Sequence, residues 1–251
     1  MKTLLVIGIG AGNPDYITIQ AVKALNRVDV FFLMDKGQSK NKLIDLRRDI
    51  CECYITDRDY RFVEAQSPER ERGDVEYATR VDDLNLAKQR TFERLINEQL
   101  CDGQCGGFLV WGDPALYDST IRILQAILDS GACAFEFEVI PGITSVQALA
   151  AQHKVPLNQI GRSVEITTGR RLTAGQVSDA DSLVVMLDAQ DAYQQVADRD
   201  AAIYWGAYLG TPDEILISGR LGDVADEIER VRKAARLANG WIMDTYLLCK
   251  P

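Results

Sequence analysis

The first half of the chain alternates short apolar runs with amphipathic stretches. Residues 3–7, TLLVI, form an apolar run of strand length, and residues 28–34, VDVFFLM, form a second that ends at Asp35-Lys36-Gly37. Between them, TIQAVKAL at 18–25 puts Ile19, Val22 and Leu25 on one helical face. Strand, helix and strand in this order predict a parallel sheet. A helix follows at about 84–100, then a short buried strand at 108–111. The next stretch is an amphipathic helix in which Ile121, Leu124, Ile127 and Leu128 share a face, and FEFEVI at 135–140 is a strand ending at Pro141-Gly142. Residues 57–82 are dense in charge and poor in apolar periodicity. They read as a solvated loop leading into a surface helix, with a flap over a site as the alternative.

The pattern changes in the second half. Strands are expected at 164–168, 183–187 and 202–208, joined by shorter elements, and GWIMDTYLLCK closes the chain as a strand. A seam of turn residues between about Pro141 and Gly161 divides the chain, giving α/β domains at 1–142 and 143–251.

Composition narrows the function classes. With 28 Lys and Arg against 37 Asp and Glu, the net charge is −9, which argues against a nucleic-acid groove. A polyanionic substrate would need a local basic patch set against the overall field. No apolar run approaches the roughly 18 residues of a membrane span, and the N-terminus lacks a basic region before an apolar stretch, so a soluble cytoplasmic protein is expected. The six cysteines have no zinc-knuckle spacing and only one histidine accompanies them; they are expected to be reduced, with no metal site.

Candidate chemistry centres on GIGAGNPDYIT, residues 8–18. A dinucleotide loop needs G-x-G-x-x-G; Gly8 and Gly10 fit, but Asn13 stands at the third position and Pro14 removes a donor where a pyrophosphate would bind. Asp35, at a strand end, is the one feature favouring a nicotinamide cofactor. Two more turns end predicted strands. They are Gly112-Asp113-Pro114, with Tyr117-Asp118-Ser119 behind it, and Pro141-Gly142-Ile143-Thr144-Ser145. The carboxyl ends of strands are where α/β sheets bind ligands. Glycines there let a backbone approach a ligand, and hydroxyls such as Thr144 and Ser145 cap helices or bond the ligand.

Gly8 to Thr18, Gly112 to Pro114, Pro141 to Ser145 and the run SLVVMLD carrying Met186 occur in an order that resembles the tetrapyrrole methylase family, over essentially the whole chain. These are methyltransferases of the cobalamin and sirohaem pathways that use S-adenosylmethionine (SAM). Asn13-Pro14 and Ala11 depart from the family's usual loop. The resemblance implies two α/β domains, with a parallel N-terminal sheet, a mixed C-terminal sheet and a SAM cleft between them. It implies SAM contacts at Ala11, Trp111, Gly112, Asp113, Leu116, Thr144, Ser145, Met186, Leu187, Leu209 and Gly210. The substrate implied is an acidic tetrapyrrole, a precorrin, held by Lys36, Arg170 and Arg171, with Lys40 and Lys42 nearby; homodimers are a family expectation. The stretches LVWGDPALYDSTIRIL and VIPGITSVQALAAQHKVPLN are similar to a subgroup that methylates carbon 1 of precorrin-5 and releases acetate. Asp35, Tyr117 and Asp118 are candidates for polar help in that release. The alternatives are another precorrin or cobalt-precorrin methyltransferase, a non-catalytic SAM or tetrapyrrole binder, a ribosomal RNA methylase and a dehydrogenase.

Overall fold

A computed structural model describes residues 1–35, 41–68 and 77–250. The chain divides into two compact units, one of Met1–Gly10 with Pro14–Ile143, the other of Ala11–Asn13 with Thr144–Pro251. The fold is α/β, with a parallel sheet in the first unit and a mixed sheet in the second.

In the first unit, β1 (Lys2–Gly8), β2 (Val30–Asp35), β3 (Arg61–Gln66), β4 (Cys105–Val110) and β5 (Phe135–Ile140) form one sheet in the order β3-β2-β4-β1-β5. Every pairing is parallel. Alternate residues go to opposite faces, as strand geometry requires. Leu4, Val6, Phe32, Phe108 and Val110 pack with α3 (Tyr77–Gln99) and α4 (Thr120–Ser130). Leu5, Ile7, Phe31 and Leu109 pack with α1 (Ile19–Leu25) and α2 (Asn41–Tyr54). Burial on both faces accounts for the near-continuous apolar runs of these strands.

Four expectations are corrected here. The buried face of α1 is Ala21, Ala24 and Leu25, whereas Ile19 is 78% exposed. A three-residue spacing drifts round a helix with 3.6 residues per turn, so the first and last of the trio diverge. The charged stretch 57–82 contains β3, an edge strand whose charges face solvent and discourage further pairing. α2 was not anticipated, although Leu46, Ile50 and Tyr54 recur at helical spacing and pack in the core. The second half has a long helix, α7 (Leu221–Asn239), and a further strand, β9 (Ile215–Arg220), where only shorter connections were expected. The buried stripe of α7 includes a cation, Arg232, which disguises the apolar period.

The second unit contains β6 (Val164–Thr168), β7 (Ser182–Met186), β8 (Ala202–Ala207), β9 and β10 (Asp244–Cys249), ordered β6-β7-β10-β8-β9, with α5 (Ser145–His153) and α6 (Gly169–Thr173). Only β6 and β7 run parallel. Its core is threaded by a polar network. The Trp205 indole N–H donates to Asp244 Oδ2 at 3.0 Å, Arg232 Nε donates to the same oxygen at 2.9 Å, and the Tyr246 hydroxyl donates to Asp188 Oδ2 at 2.8 Å. Burial acts to discharge Arg232, but Asp244, Asp191 and Asp188 outweigh it and its pKa is raised. Among the described residues no helix is long and apolar enough to cross a membrane. All six cysteines are free; Cys51, Cys105 and Cys133 are buried, and burial pushes the Cys51 thiol up to about 12. Replacing Arg232 by Met leaves Asp244 buried without its cation. The expected loss is about 3–5 kcal/mol, read as an earlier denaturant midpoint for the second unit; an unchanged midpoint contradicts the assignment.

Candidate active site

The loop at 8–18 opens from the carboxyl end of β1, where three main chains of the first unit meet without side chains between them. A Cβ on Gly142 would lie 2.1 Å from the Gly112 carbonyl oxygen, and one on Gly8 would lie 2.6 Å from the Gly142 nitrogen. Gly10, at φ +80°, bridges Gly112: the Gly112 N–H donates to the Gly10 carbonyl at 2.8 Å. The Asp113 carboxylate ties two of these turns together, accepting from the Gly142 N–H at 2.8 Å and the Ala115 N–H at 2.7 Å. Trp111 and Leu116 are half-buried on either side of it. Thr18 ends the loop by capping α1, its hydroxyl accepting from the Ala21 N–H at 3.0 Å. The helix therefore begins at Ile19, behind a short turn at Pro14–Tyr16. A dinucleotide loop would open straight into its helix, so the pyrophosphate geometry is absent.

Tyr117 and Asp118 follow. Tyr117 is 44% exposed and holds a left-handed conformation at φ +52°. Asp118 Oδ1 accepts from the Thr120 N–H at 2.7 Å and so holds the start of α4. Two half-buried cations flank this carboxylate. Arg47 of α2 donates from Nε to the Leu109 carbonyl at 3.1 Å and from Nη1 to the Leu43 carbonyl at 2.6 Å. Lys88 of α3 reaches Ser119 Oγ at 3.3 Å. Burial lowers the Arg47 guanidinium to about 10 and lowers Lys88 as well, in both cases against the opposing pull of Asp118. Neither cation stands out in the sequence: Arg47 belongs to the unexpected α2, and Lys88 is one of many charges along the expected helix α3.

In the second unit Ala11 is buried, and Gly12 at φ +121° lies so close to the 209–210 turn that a Cβ would meet the Leu209 carbonyl at 2.4 Å. Leu209 is itself buried, and the Gly210 N–H donates to Glu214 Oε2 at 2.6 Å. Thr144 caps α5 in a capping box with Gln147, so its hydroxyl is committed to the helix. Ser145 Oγ lies 3.0 Å from Thr245 Oγ1, on the residue that pairs with Met186 across β10 and β7. Met186 is half-buried, and Leu187 beside it is 61% exposed at φ +53°. Tyr117, Leu187 and Tyr208 are all non-glycine residues with positive φ, strain of the kind that accumulates at ligand sites.

The remaining predicted residues are placed less informatively. Lys36 and Lys40 lie outside the described residues. Asp35 closes β2 and Lys42 lies in the first turn of α2. Arg170 and Arg171 are exposed on α6, and Arg171 directs Nε and Nη2 to the Gln176 carbonyl at 3.1 and 2.9 Å. His153 Nε2 lies 3.0 Å from the Trp205 carbonyl oxygen. The chain's sole histidine is thus engaged within the second unit. Among the described residues no cluster of metal-ligating side chains occurs.

Gly142→Ala is expected to cost about 3 kcal/mol or more by overpacking. Gly131→Ala, where a Cβ would meet nothing, should carry only the left-handed strain of about 1–2 kcal/mol. Melting of both variants tests the interlock, and a loss at Gly142 no larger than that at Gly131 contradicts it.

The family model of the Tetrapyrrole (Corrin/Porphyrin) Methylases matches residues 3–225. The chain is 52% identical over 250 residues to a precorrin-6A synthase (deacetylating) of Sinorhizobium sp, covering 100% of this chain and 96% of that protein. The crystal structure of a cobalamin synthesis related protein (CobF) from Corynebacterium diphtheriae superposes with a TM-score of 0.84 at 34% identity, covering 99% of this chain and 98% of that one. A uroporphyrin-III C-methyl transferase from Thermus thermophilus, solved in complex with S-adenyl homocysteine, shares the fold at a TM-score of 0.60 and 18% identity, over 98% of this chain and 92% of that one. The interlocked glycine turns, the parallel and mixed sheets and these likenesses agree: the chain belongs to the tetrapyrrole methylase family.

Proposed function

We propose that this chain is a SAM-dependent C-methyltransferase that methylates carbon 1 of precorrin-5 and releases the acetyl group there as acetate, giving precorrin-6A. The observation that carries this reading is the 52% identity to the Sinorhizobium precorrin-6A synthase across the full chain. The residues present suit an adenosyl ligand. Gly12 lets the loop pack directly on the 209–210 turn, and the exposed Leu187 offers apolar cover for a purine.

When bound, SAM supplies a methyl group on a sulfonium, open to in-line attack by an electron-rich carbon. The chain's part is to align the reactants and keep water from the sulfonium, which rigid backbone turns do well. In the deacetylation, water adds to the acetyl carbonyl and the bond to ring carbon 1 breaks. The electron pair stays on carbon 1, which takes the methyl group, while one proton of water passes to a base and the acetic acid that leaves gives up the second to become acetate. We assign guidance of that water and proton to Asp35 at the end of β2 and to Tyr117. Asp118, whose Oδ1 is engaged by the Thr120 amide, has its part in holding α4 and the neighbouring cations.

Mass analysis of precorrin-5 incubated with the protein and methyl-labelled SAM tests the reading. One labelled methyl gained with one acetate released is expected. A methyl gained with the acetyl retained moves the reaction to another carbon, and no transfer despite SAM binding makes the chain a binder only. Asp35→Asn is expected to slow acetate release by about 10²-fold with SAM affinity unchanged. Wild-type release in that variant removes Asp35 from the mechanism.

A further inference from the structure

The first-unit sheet has a gap at its carboxyl edge. β2 pairs with β4 only through Val30–Gly106, Phe31–Gly107 and Phe32–Phe108, whereas β4 stays paired with β1 as far as Gly8–Val110. Past Phe32 the Leu109 carbonyl therefore loses its strand partner, and Arg47 supplies one from α2. The two helices bordering this gap lie on opposite faces: α2 packs with Leu5, Ile7 and Phe31, while α3 packs with Leu4, Val6 and Phe32. Crevices of this kind, where successive connections leave to opposite faces, are where α/β sheets take ligands.

Arg47 reaches this edge from α2 through the Leu109 carbonyl, and Lys88 of α3 reaches Ser119 Oγ at 3.3 Å, next to Asp118, the carboxylate that acts electrostatically on both. Three other arginines of this unit meet carboxylates directly, Arg27 with Glu138 at 2.6 Å, Arg48 with Glu64 at 2.5 Å, and Arg58 with Asp29, while Arg61 donates to Gln99 and Arg122 to the Asp118 carbonyl. Among the residues whose side chains are described, no carboxylate lies within ion-pair distance of Arg47 or Lys88. Among those described side chains, two half-buried cations face one carboxylate, itself bonded to the Thr120 amide, an excess of positive charge in an acidic protein. Such an excess is costly to bury without an anion.

We infer that Arg47 and Lys88, on either side of the β2–β4 gap and facing Asp118, form a binding site for a carboxylate of the substrate. The inference rests on the reading of the substrate as a polyacidic tetrapyrrole and supplies the local basic patch that the net charge demands. The Arg47 guanidinium, held by the Leu109 and Leu43 carbonyls, is oriented in advance, so little rotamer freedom is lost when an anion arrives. Lys88 adds a mobile point charge from the opposite face.

Equilibrium binding of precorrin-5 in the presence of S-adenosylhomocysteine, where no turnover occurs, tests the site. Lys88→Met and Arg47→Gln are each expected to weaken precorrin-5 binding at least tenfold, with S-adenosylhomocysteine affinity and melting temperature unchanged for Lys88→Met. Asp118→Asn keeps an oxygen for the Thr120 amide but removes the competing charge, and is expected to tighten binding. A purely structural role for the cations predicts no such gain. Wild-type binding retained by Lys88→Met, or weaker binding by Asp118→Asn, overturns the site while leaving the proposed substrate intact. Failure of the wild-type protein to bind precorrin-5 overturns the substrate reading and the site with it.

Discussion

The carboxyl edge of the parallel sheet depends on a contact that admits no side chain. Gly142 lies against the Gly112 carbonyl where a Cβ would stand 2.1 Å away, and Gly8 closes the same cluster. The three turns are therefore placed by backbone against backbone, tied further by the Asp113 carboxylate bonded to the Gly142 and Ala115 amides and by the Thr18 hydroxyl donating to the Pro141 carbonyl. Such an edge is rigid, because nothing in it can move without a backbone clash. Rigidity of this kind suits a reaction whose main demand is alignment of a donor and a carbon nucleophile.

The second unit reaches a similar end by a different route. Its sheet is mixed, and its interior is organised by Arg232 and Asp244, joined by Asp188 and the ring donors of Trp205 and Tyr246. On this frame the turns at 186–187 and 208–210 carry left-handed residues that are not glycine, Leu187 and Tyr208. Gly12 packs against the second of these turns. The loop GIGAGN is thus shared: Gly8 and Gly10 build the first unit's edge, while Ala11, Gly12 and Asn13 belong to the second unit.

Much of this organisation was legible in the residues themselves. Buried strands such as β1 and β4 announce themselves as continuous apolar runs, and the glycine turns stand out because only glycine tolerates the close approach at Gly142 and the backbone angle at Gly10. What escaped were elements whose burial is mixed with charge. β3 is an edge strand with arginine and glutamate facing water, and α7 buries an arginine inside its apolar stripe. The same holds for two cations near Asp118: Arg47 sits on α2, which the pattern does not announce, and nothing in the spacing of Lys88 along its helix sets it apart from the other charges there. Arg170 and Arg171 are legible as an adjacent basic pair, and both are exposed on α6, with Arg171 donating to the Gln176 carbonyl.

Amide hydrogen exchange with and without S-adenosylhomocysteine is the most direct test of the idea that the shared glycine loop cradles the adenosyl ligand. Slowed exchange is expected in the peptides spanning Ala11–Asn13, 186–187 and 208–210, with the outer helix α7 unchanged. Binding of the ligand with exchange unaltered in all three segments would contradict it.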